Sequence, residues 1–81
     1  MDRLHGINVF LRIVEVGTIS GTARDLGVST AAISASLARL ETNLAVRLLD
    51  RTTRRLSVTA EGAEFYDRCK KLMSDLDEAE Q

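Results

Sequence analysis

Arg51, Arg54 and Arg55 crowd into the segment Asp50-Arg51-Thr52-Thr53-Arg54-Arg55, with Thr53 adding a hydroxyl between them. Guanidinium groups held this close repel one another unless an anion or solvent screens them. A phosphate backbone, or a narrow groove of strong negative potential, is a natural partner. The blander reading is a solvated turn in which arginine serves solubility. A second set, Thr30, Ala31, Ser34, Ala35 and Ala38, recurs at helical spacing, and its members are small and only lightly polar. A helix face that merely met water would more often carry Glu, Lys or Arg, so this one suits close approach to another surface.

Other chemistries have little to work with. The chain has 81 residues, and size scaling leaves about 60% of the surface of such a chain buried, enough for one modest core but not for a walled substrate pocket as well. It offers no Gly-rich phosphate loop and no nucleophile triad, and its lone His5 and lone Cys69 cannot assemble a metal site or an internal disulfide. An enzyme, a resident metal and a resident cofactor are therefore not expected. Phe10, Phe65 and Tyr66 are the only rings, too few for a platform on which single-stranded bases stack. No apolar run is long enough to span a bilayer, and the start MDRLHG lacks a signal-peptide pattern, so a soluble cytoplasmic protein without membrane contact is expected. Up to Thr59, eight basic residues face five acidic ones, a formal +3. From Ala60 onward three face seven, a formal −4, so one half can meet phosphates while the other is kept off them.

Four helices and a hairpin would have to position these groups. Leu4, Ile7, Leu11 and Val14 make an apolar stripe from Leu4 to Val16, flanked by Phe10 and by Val9 with Ile13, and Gly17 is placed to end that helix. Ser20 is the expected N-cap of a short helix from Gly21 to Leu26, whose inner face is Ala23 and Leu26. Gly27 permits a tight turn, Val28 is expected to plug it into the core, and Ser29 caps a third helix, Thr30 to Thr42, built inward on Ile33, Leu37 and Leu40, with Leu44 next in the same spacing. Leu48-Leu49 and Leu56-Ser57-Val58 read as two short strands around the basic turn. Thr59 then caps a long helix toward Gln81, in which Phe65, Cys69, Leu72, Leu76 and Ala79 form a heptad-like seam flanked by Tyr66 and Met73. Phe65 and Tyr66 are expected to pack on the first helix, Lys70 and Lys71 to form a solvated face, and the seam of Phe65, Cys69, Leu72, Leu76 and Ala79 to be a dimerisation edge that calls for a partner chain.

A helix, a tight turn and a capped helix with a slim outer face make a helix-turn-helix, and the hairpin beside it makes a wing. The predicted fold is thus mainly α, a winged helix-turn-helix over residues 1–59 with a two-stranded β wing, followed by a long C-terminal linker and dimerisation helix over residues 60–81. Through FLRIVEVGTISGTARDLGVSTAAIS and LARLETNLAVRLLDRTTRRLSVTAEGAEFY the chain resembles the amino-terminal DNA-binding domain of the LysR-type transcriptional regulators.

The resemblance implies a homodimeric regulator on double-stranded DNA of approximate twofold symmetry. It further implies an inducer-binding domain beyond Gln81 and contact with RNA polymerase through the full-length protein. Carried over residue by residue, it puts Thr30, Ala31, Ser34 and Ala35 on the recognition-helix face, Ser29 near a phosphate, and Arg51, Thr53 and Arg54 in the wing, with Arg55 beside them. Five positions depart from the family pattern: Ala35 replaces a common Arg or Lys, Ala31-Ala32 lacks the frequent Gln or Pro, Ala45 replaces a common Gly, and Leu49 a common Phe. Two alternatives stand beside this reading. Arg51 could pair with Asp50 or Glu41 instead of an external anion, and the whole module could serve protein contacts instead of DNA.

Overall fold

Phe10, Ile13, Ile33, Leu37 and Leu48 have no accessible surface to speak of, and the other elements are arranged around them. The computed structural model describes residues 3–51 and 56–81. In chain order it contains α1 (Arg3–Val16), α2 (Ile19–Leu26), α3 (Thr30–Leu44), β1 (Leu49–Asp50), β2 (Ser57–Val58) and α4 (Ala60–Glu80).

Helix α1 touches α2, α3 and α4, and its orientation corrects the expected stripe. Val9, Phe10, Leu11 and Ile13 are buried, Ile7 and Val14 are only partly covered, and Leu4 is half exposed. With three helical neighbours, the centre of the wide apolar face turns inward, so that of the predicted stripe Leu11 is buried while Leu4, Ile7 and Val14 fall at its margin.

Helix α2 starts earlier than predicted. Gly17 takes φ +97° and reverses the chain immediately after α1, so Thr18, not Ser20, is the extended residue at the start of the helix. Thr18 Oγ1 accepts from the Gly21 amide at 2.9 Å, and the buried Thr22 hydroxyl donates back to the Thr18 carbonyl at 2.8 Å. Thr22 and Ala23 are the inward pair, while Leu26 and Val28 remain exposed, so Val28 does not plug the turn. The turn closes instead through its backbone: Gly27 is left-handed, and the amides of Gly27 and Val28 donate to the carbonyls of Arg24 and Ala23.

Helix α3 buries Ile33, Leu37 and Leu40 as predicted and runs on to Leu44, which stays exposed at the helix end instead of extending the buried row. It stops at Ala45, which adopts a left-handed conformation at φ +59°. Beyond it, Leu49 pairs with Val58 and Asp50 with Ser57 in an antiparallel two-stranded wing. Glu41 Oε2 accepts from the amides of Leu48 at 2.7 Å and Leu49 at 3.1 Å, while the Leu48 carbonyl accepts from the Thr59 amide at 3.0 Å and its hydroxyl at 3.1 Å. Thr59 Oγ1 also caps α4, accepting from the Gly62 amide at 2.9 Å. Phe65 then stacks at a tilt on Phe10, ring centroids 5.7 Å apart, and no described helix is long and apolar enough to cross a membrane.

An alanine in the left-handed region carries a strain that glycine does not, about 1 kcal/mol. Ala45→Gly should therefore raise unfolding stability by roughly that amount in a urea titration. A destabilised variant would contradict this account of the α3 terminus.

Candidate nucleic-acid interface

The outer side of α3 is free. Thr30, Ala31, Ala35 and Ala38 are exposed and Ser34 is half-buried. Ser29 holds the helix start by accepting from the Ala32 amide at 3.1 Å, leaving the positive end of the helix dipole at the same end as Thr30 and Ala31. With methyls and short hydroxyls on this face, another surface can come close to the helix backbone.

Arg51, exposed directly after β1, lines an open hollow together with Ala38, Glu41, Thr42, Ala45 and Arg47. Ala38 lies one helical turn beyond Ser34 and Ala35, so the base of the wing and the slim face of α3 form one continuous surface. Arg47 is a second exposed cation in this hollow, to which sequence reasoning assigns no role. Only a fold that turns the chain sharply at Ala45 brings it there. Glu41, one suggested partner of Arg51, directs Oε2 at the amides of Leu48 and Leu49, where the chain enters β1. Thr53, Arg54 and Arg55 lie outside the described residues.

The seam of the last helix divides. Cys69 is buried, and Phe65 packs on Phe10, so both belong to the chain's own core, whereas Leu72, Leu76 and Ala79 are exposed. Burial pushes the Cys69 thiol above its ordinary range, which disfavours the reactive thiolate. Lys70 is not simply solvated, because its ammonium bonds Glu15 at 3.1 Å. Among the described residues, no group of three or more His, Cys, Asp or Glu side chains is arranged to hold a metal ion.

The profile of the bacterial regulatory helix-turn-helix proteins of the lysR family matches residues 4–63. The chain belongs to this family. It is 40% identical over 80 residues to an HTH-type transcriptional repressor of Pseudomonas aeruginosa, covering 99% of the chain and 25% of the relative. It is also 40% identical over 74 residues to the HTH-type transcriptional regulator CrgA of Neisseria meningitidis, covering 91% and 25%. The chain thus spans about a quarter of the length of these curated relatives. Among solved structures, the BenM DBD in complex with catB site 1 DNA superposes with a TM-score of 0.90 at 29% identity, over 98% of this chain and 84% of that one. The structure of CrgA superposes with a TM-score of 0.77 at 39% identity, over 94% and 26%. The fold is accordingly a LysR-type winged helix-turn-helix, a DNA-binding unit of transcription regulation.

Placing Cys69 in the core and Leu72 at the surface separates the effects of two similar changes. Cys69→Ser buries a hydroxyl and should cost about 1–3 kcal/mol, while Leu72→Ser at low protein concentration should stay within about 0.5 kcal/mol. Equal losses in chemical denaturation would restore the undivided seam.

Proposed function

We propose that the chain binds double-stranded DNA sequence-specifically as a homodimer, with α3 in the major groove and the basic wing at the neighbouring minor groove. The observation that carries this reading is the continuity between the slim face of α3 and the hollow holding Arg47 and Arg51. In this arrangement Ser29 approaches a phosphate, Thr30 and Ser34 offer hydroxyls to base edges, and Ala31 and Ala35 offer methyl contacts to thymine. Arg51, Thr53, Arg54 and Arg55 meet the backbone or enter the minor groove. Ala35 supplies no charged fork, so much of the discrimination comes from the wing and from DNA shape.

Residues 60–81 act as the linker and dimerisation helix, with Leu72, Leu76 and Ala79 at the interface between copies. Two recognition helices related by a twofold axis then read an approximately palindromic duplex on successive turns. Work on DNA places the regulator in the cytoplasm. Inducer sensing and contact with RNA polymerase fall to parts of a full-length regulator beyond this domain.

Replacing Arg54 and Arg55 together should weaken duplex binding and flatten its log-log salt dependence by up to about 0.9 for each lost phosphate contact. A slope unchanged across a salt series removes these two residues from the interface, and an unchanged gel shift favours the protein-contact reading. Ala35→Arg should strengthen binding to cognate and scrambled duplexes by similar factors, because it adds an electrostatic contact more than a base-specific one. A gain confined to the cognate duplex, or none on the scrambled one, would contradict that assignment.

A further inference from the structure

Helix α4 grips the rest of the domain along a narrow line. Its buried residues are Gly62 and Cys69, with Phe65, Tyr66 and Met73 partly covered, and from Ser74 to Glu80 every residue is exposed. Directional bonds at Thr59 and the close approach of Gly62 fix only the start of the helix, and the apolar contact beyond them, being non-directional, constrains the angle of the free end less.

A chain of directional polar contacts lies beside that line. Glu15, in the last turn of α1, accepts on Oε2 from the Tyr66 hydroxyl at 3.2 Å and from Lys70 Nζ at 3.1 Å, two α4 residues one turn apart. Its Oε1 accepts from Arg12 Nη1 at 3.1 Å, and Arg12 donates through Nη2 at 2.6 Å and Nε at 3.1 Å to Asp25 Oδ2 on α2. The chain of bonds therefore runs from α4 through α1 to α2, the helix that braces α3. The Lys70 hydrogen bond, foremost, holds the Glu15 carboxyl below its ordinary range, while burial, then Glu15 itself, raises the Tyr66 hydroxyl. At neutral pH the acceptor is thus charged and the donor protonated. Because all five side chains are at least partly exposed, the bonds contribute little to overall stability, and what they can supply is direction.

We propose that Glu15 is a positioning residue which, through Tyr66 and Lys70, sets the angle of α4 and thereby the half-site spacing that a pair of these domains accepts on DNA. The proposal rests on the dimeric DNA-binding reading above. The lever is long enough for the purpose: from Lys70 to Glu80 the helix extends roughly 15 Å, so a swing of about 10° displaces its tip by roughly 2.6 Å. Two such helices in a dimer add up to more than the rise of about 3.4 Å per base pair.

The test removes the donors on α4 and leaves the Glu15, Arg12 and Asp25 contacts in place. The double variant Tyr66→Phe/Lys70→Met removes both donors while keeping the ring and an unbranched side chain of similar reach, and either single substitution serves should the pair fail to fold. Spin labels on Arg24→Cys and Asp77→Cys, both at exposed positions, report the angle between α2 and the end of α4. The label-to-label distance distribution should broaden in the variant. On a panel of duplexes whose half-sites are separated by inserted or deleted base pairs, the parent should prefer one spacing by about tenfold. The variant should prefer it by no more than about threefold, with affinity for an isolated half-site unchanged. An equal loss at every spacing, which a purely structural role would produce, overturns the proposal, as does a parental spacing profile retained in the variant. Absence of any spacing preference in the parent overturns both the proposal and the dimeric reading beneath it.

Discussion

One residue, Leu48, holds the recognition helix, the wing and the last helix in register through its backbone N–H and C=O. Its amide donates to Glu41 of α3 and its carbonyl accepts from the amide and hydroxyl of Thr59, the residue that caps α4. Its side chain is fully buried, so an amide or carbonyl left without a partner here would cost about 1–3 kcal/mol. Gly62 closes the arrangement from the other side, approaching so tightly that a methyl group in its place would overlap the Leu48 carbonyl oxygen. The position of Arg51 relative to Ala38 follows from this junction, since β1 begins at the next residue.

The resulting surface joins two modes of contact. On α3, small side chains let another molecule approach the helix closely, which favours shape and methyl or hydroxyl complementarity over charge. At the wing base, Arg47 and Arg51 supply charge next to that face. The acidic residues of α4 from Asp75 to Glu80 lie at the far end of the longest helix, where repulsion from a polyanion disturbs the surface least. A domain without a basic side chain at Ala35 thus concentrates its positive charge around the hairpin.

Much of this was legible from spacing and turn chemistry. The inward set Ile33, Leu37 and Leu40, the left-handed Gly27, and the caps Ser29 and Thr59 each express a local rule that the fold obeys. The departures arise where tertiary neighbours decide. Ser20 and Thr18 both satisfy the preference for a cap, and only the reversal at Gly17 selects Thr18. The α1 stripe shifted because three helices surround its centre, and the seam of α4 divided because α1 covers Phe65 and Cys69. Glu41 was read as a possible partner for an arginine, yet it accepts from two backbone amides that no periodicity reveals. The wing arginines Arg54 and Arg55 stand outside the described residues, so their part rests on chemistry and family membership.

The central claim is that the outer face of α3 and the base of the wing meet one duplex together. Photo-activatable cross-linking groups placed in turn at Ala35, Arg51 and Asp77 test it most directly. The account predicts cross-links to the same duplex from the first two, Ala35 to bases in the major groove and Arg51 to sugar-phosphate within a few base pairs, and none from Asp77. Cross-links from Asp77 without any from Ala35 or Arg51 would contradict it.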